Sequence, residues 1–112
     1  MISSALALTM LLTAAAADGT QSARKAYSAC LQRFMAQGLD DKMEPEAFDA
    51  ALATACAPEA ARLRQAAIDA NVAAGRKRAD AEDMVAGDIE DYQLNTKDMY
   101  REHKEKGVSP TS

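Results

Sequence analysis

The chain has 112 residues, with 13 Lys and Arg against 17 Asp and Glu, a net charge of −4. That mild acidity excludes the basic excess with which a nucleic-acid-binding domain meets phosphate, and the length allows one domain. Hydrophobic residues reach 48%, but only 4% are aromatic and Trp is absent, so alanine supplies much of the apolar content. A core built this way buries little area, and a domain of this size then depends on a staple.

The first element is a leader. Met1 to Ala17 carries no charged side chain; Ala5 to Leu12 forms an apolar run, and Asp18-Gly19 breaks it. Ala15 and Ala17 place small residues at the −3 and −1 positions of a signal-peptidase site. Residues 1–17 are therefore expected to be a cleaved signal peptide, with the cut after Ala17 or one residue earlier. The amino-terminal region departs from the pattern in having no Lys or Arg. A run of about 17 residues lies at the short limit for spanning a bilayer, so no stable membrane insertion is expected after cleavage. A membrane-tethered protein with an uncleaved leader is the alternative. Residues 18–106 then form a helical domain, and 107–112 a polar, disordered tail.

In the domain, a first helix is expected over Ser22–Gln37, with Ala23, Tyr27, Cys30, Leu31, Phe34 and Met35 on one apolar face. Gly38 stands where a left-handed C-terminal residue is wanted. A second helix starts near Pro45, a residue suited to the first helical position, with Glu44 and Glu46 at the positive end of the dipole. Its apolar stripe is Phe48, Ala51, Leu52 and Ala55, extended by Cys56. Pro58 makes Ala57 a boundary and opens a third helix carrying Leu63, Ala67, Ile68 and Val72.

Gly75 can cap that helix, although a helix continuous through it is the competing reading. Asp80, with Asp83 three residues on, resembles the N-cap of a fourth helix. Along it Val85, Ile89, Tyr92, Thr96, Met99 and His103 step by alternating fours and threes, a seam-like spacing; Gly107 stops it. Alternating β-branched runs are absent, so no strand is expected. The fold class is all-α: a small antiparallel bundle of three or four helices with one intrachain disulfide.

The disulfide is the pair Cys30 and Cys56. An even cysteine count in an exported small domain is usually a bridge. Cys30 lies ~12 Å of helix before Gly38 and Cys56 ~17 Å after Pro45, which brings the two within about one turn of the same level in a hairpin. The spacing suits neither a redox C-x-x-C nor a thiolate zinc site.

The remaining constellations read as structural. The acidic segment Asp80, Glu82, Asp83, Asp88, Glu90 and Asp91 lacks the glycine and ligand positions of a calcium loop and reads as a solvated face. Arg76-Lys77-Arg78 is too short for a lipid-binding cluster and suits helix capping or an ion pair with the acidic segment. His103 has no partner ligands in sequence and suits the negative end of its helix. Met35, Met43, Met84 and Met99 are expected to fill core gaps rather than to hold copper. Phosphate loops, dinucleotide fingerprints and serine elbows are absent.

The expectation is thus a periplasmic or secreted, non-enzymatic helical binding protein. It takes no cofactor and no metal, and its partner is an unidentified protein or a second copy. Tyr92, Met99 and Tyr100 form its candidate interaction surface. The plan of a small helical domain with one disulfide is similar, in architecture alone, to that of a periplasmic acid-stress chaperone, and a chaperone-like or stress role is the alternative.

Overall fold

The first helix, α1 (Ile2–Asp40), runs past Gly38 and closes on Lys42 instead. These elements are those of a computed structural model that describes the backbone of residues 2–107 and the side chains of residues 19–107. Lys42 takes the left-handed conformation at φ 56°. Its amide donates to the Leu39 carbonyl, and that of Met43 donates to the Gly38 carbonyl at 2.9 Å. This is the paired closure by which a helix satisfies its last carbonyls, here achieved without glycine at the left-handed position.

Gly38 serves another purpose. A Cβ on it would lie 3.1 Å from Tyr100 Cε2 and 3.2 Å from Phe48 Cδ2. The glycine is what lets two rings settle against the helix backbone. At its other end the helix is continuous with residues upstream of the expected start at Ser22. The side chains of the expected leader, residues 1–17, lie outside the described residues, as does the expected tail from residue 108 onward.

Helix α2 (Pro45–Ala55) begins at the proline, as its fixed φ favours, and Cys56 alone separates it from α3 (Ala57–Ala73), with Pro58 in the first turn. Gly75, at φ 100°, then ends the third helix. Its amide donates to the Val72 carbonyl and that of Arg76 to the Asn71 carbonyl, so α3 and α4 (Arg78–Lys106) are separate helices. Asp80 is not the N-cap of α4. Lys77 occupies that position without a side-chain cap, and Asp80 falls in the first turn. The tight closure at Gly75 leaves only two linking residues, and Ala81, fully buried, holds the helix in a register that starts at Arg78. Gly107, at φ 66°, closes α4 where expected.

The expected all-α class holds: four helices, and no strand among the described residues. Their buried faces converge on one core of Tyr27, Leu31 and Met35 from α1, Phe48 and Leu52 from α2, Leu63, Ala67 and Ile68 from α3, and Ala81, Val85, Ile89 and Tyr100 from α4. Val72, Tyr92 and Met99 pack against it from its edge. Ala55 departs from its expected stripe and is exposed, because α2 ends there and only Cys56 turns inward.

The pairs that join the helices fix their relative order. The Thr20 hydroxyl donates to the Ala66 carbonyl on α3 at 3.3 Å, and Cys30 meets Cys56. Tyr27 packs edge-on to Tyr92 of α4 with ring centroids 5.4 Å apart. Rising numbers on α1 thus meet falling numbers on α3, and Tyr27 beside Tyr92 with Gly38 beside Tyr100 gives rising numbers on α4.

Candidate functional site

A groove runs along the line where α1 and α4 meet. On α1 its rim is Arg24, Ser28 and Gln32, which recur every four residues and so stand above one another on one face. On α4 the opposite rim is Asp88, Asp91 and Asn95. The floor is made by Leu31, Met35, Tyr92, Thr96 and Met99. The charged part, between Arg24 and the two aspartates, is a shallow depression of about 560 Å³ open to solvent, and the apolar part is a narrower cleft of about 170 Å³. Tyr92 and Asn95 line both.

The floor is anchored from below. Thr96 is the one buried polar residue of the described core, and its hydroxyl donates to the Tyr92 carbonyl one turn back at 2.8 Å. This local bond satisfies a group that would otherwise be costly to bury. Tyr27 sits beneath Tyr92, and burial pushes its phenol above the usual tyrosine range, with Gln93 and Arg64 beside it pulling the other way.

At the end of the groove, α2 closes the molecule over Tyr100. The Phe48 and Tyr100 rings stack with centroids 3.8 Å apart and planes within 3°, and Phe34 stacks on Phe48 at 5.1 Å. The Tyr100 hydroxyl donates to the Met43 carbonyl at 2.5 Å, and Lys104 Nζ donates to the same oxygen at 2.8 Å. Burial raises the Tyr100 phenol above its ordinary value, and Glu44 and Asp41 push the same way. Arg101 Nη2 pairs with Asp49 Oδ2 at 2.8 Å, tying α4 to α2.

The expected surface of Tyr92, Met99 and Tyr100 is therefore divided. Tyr92 and Met99 are half-buried on the groove floor, whereas Tyr100 is 0% exposed and faces the core. Tyr100 follows Met99 on the helix and so points about 100° away from it, towards α2. Cys30 and Cys56 sit at bonding distance, with Sγ atoms 2.13 Å and Cα atoms 6.0 Å apart. The acidic residues from Asp80 to Asp91 are all exposed. Arg76, Lys77 and Arg78 are exposed too, and the ion pairs among the described residues are Arg101–Asp49 and Lys106–Glu102, so of the two expected roles, helix capping or an ion pair, the ion pair with the acidic segment is not made.

Met35 is buried, and Met43 and Met99 pack against the core, but Met84 is 38% exposed and fills no gap. His103 is half-buried, beside Asp40, Lys42, Glu44 and Lys104 at the molecule's end. Sequence reasoning missed Arg24, Ser28, Gln32, Asp88, Asp91 and Asn95 as a set. The four-residue recurrence on α1 was the available signal; which helix lies beside it was not.

No protein-family model, curated protein or solved structure matches this chain.

Proposed function

We propose that the chain is an exported, non-enzymatic helical binding protein whose protein partner lies along the α1–α4 groove. The observation that carries this reading is the groove's division of labour. An apolar floor of Leu31, Met35 and Met99 offers area to bury, and the rims of Arg24, Asp88, Asp91 and Asn95 offer polar groups that set register.

Export rests on the leader expected at residues 1–17, and the cysteine pair suits the oxidising periplasm or exterior to which such a leader delivers. Among the described residues no helix is long and apolar enough to cross a membrane. The order of the joining pairs supports an antiparallel bundle in which α1, α3 and α4 run up, down and up, with α2 packed against α1 and α4 through Phe48.

Site-specific photo-crosslinking in the producing cell tests the reading. A crosslinker at Asn95, on the groove rim, is expected to give discrete adducts; one at Ala61, exposed on α3, is expected to give none. Absence of adducts at position 95, or equal adducts at both positions, overturns it.

A further inference from the structure

We propose that reduction of the Cys30–Cys56 bridge opens a three-ligand site for a thiophilic divalent cation of the Zn²⁺ type, built from the two sulfurs and the Glu59 carboxylate. The ligand atoms of the three residues lie within 4.8 Å of one another. Tetrahedral zinc bonds of ~2.3 Å to sulfur and ~2.0–2.2 Å to oxygen place neighbouring ligand atoms roughly 3.5–3.8 Å apart. Once the bridge is reduced, side-chain torsions of the two cysteines and of Glu59 can bring the three ligand atoms from within 4.8 Å to that spacing.

Helix α3 arranges two of the ligands. Cys56 is its N-cap, and Glu59 follows three residues on, the spacing that brings an N-cap side chain and a first-turn carboxylate together. The positive end of the helix favours anionic groups, thiolate and carboxylate alike. Glu59 is half-buried, yet it makes no hydrogen bond or ion pair among the described residues. The helix end accounts for a carboxylate in the first turn; its placement beside both sulfurs, with no cation of its own, is what makes a third ligand available. Cys30 comes from the partner helix α1 and is itself half-exposed, so the site opens to solvent there and its fourth position falls to water.

The chemistry balances with a dithiol as reductant. The dithiol gives two electrons and two protons to the Cys30–Cys56 bond and leaves as its own disulfide, and two thiols remain. The cation then displaces both thiol protons into solvent. Oxidation and metal binding exclude each other, yet either one ties α1 to the start of α3. The inference is independent of the groove and of what binds there.

The test uses the full chain reduced with a phosphine, which leaves no competing thiol, and titrated with Co²⁺ followed by Zn²⁺. One equivalent of Co²⁺ is expected to produce thiolate-to-cobalt charge-transfer bands that Zn²⁺ abolishes, with no bands in the oxidised chain. Glu59→Gln is expected to weaken binding at least ~10-fold, and Cys30→Ser to remove the bands. If the reduced chain unfolds without metal, its helical circular dichroism is expected to return with the bands. Overturning results are a reduced chain that yields no bands, folded or unfolded, or affinity unchanged in Glu59→Gln.

Discussion

Tyr100 joins three helices through one side chain. Its ring stacks on Phe48 of α2 and rests on Gly38 of α1, and its hydroxyl reaches the Met43 carbonyl beyond the end of that helix. Tyr100→Phe keeps the stack and removes the hydrogen bond, while Lys104 still serves the carbonyl. The expected cost is about 1 kcal/mol by urea denaturation. Because burial raises the phenol's folded value above the ordinary 10.0, its neutral form is the one that folding favours. That contribution is complete below the unfolded value and is lost as pH rises through the folded one. Melting temperature is expected to fall above about pH 10, and less steeply in Tyr100→Phe. At the neighbouring closure, Lys42 pays for a left-handed backbone that glycine adopts freely. Lys42→Gly is expected to stabilise by about 1 kcal/mol, read by the same denaturation, whereas Gly38→Val should destabilise through contact with both rings.

Among the elements, the apolar faces were legible because helical periodicity is local. Tyr27, Leu31 and Met35, then Val85, Ile89 and Thr96, occupy the inner positions that their spacing indicates. Ends were read less well. Gly38 and Asp80 carry the right chemistry for a cap, yet one is needed for a close approach and the other is overridden by the register that Ala81 imposes. Gly75 is the exception: of a cap and a continuous helix it makes the cap, since its left-handed backbone and paired closure are set by a glycine following an apolar helix. Gly75→Ala is expected to cost about 1 kcal/mol in thermal or chemical denaturation, because a Cβ opposes that conformation although nothing crowds the space around it.

For the whole molecule, the Cys30–Cys56 bridge is expected to carry a large share of stability. Closing about 25 residues is worth roughly 3–3.5 kcal/mol in the chain-entropy picture. Reduction under chelator, so that no metal replaces the bond, is expected to lower urea-derived stability by that amount. If the chain is exported as proposed, its intact mass is expected to match a start at Asp18 or at Ala17; a mass that includes the leader would mean a tether instead.

The residues by themselves determined that this is an all-helical chain, which faces of its helices are apolar, and that Cys30 and Cys56 are the pair to join. Each of these follows from repeat spacing or from there being one cysteine pair. Only the tertiary structure decided that Tyr100 turns inward while Tyr92 and Met99 floor a groove, and that Arg24 faces Asp88 and Asp91 across it. It also decided that Glu59 lies beside the two sulfurs. Such juxtapositions depend on the rotation of one helix against another, which is set by how bulky and small side chains interlock across the whole core.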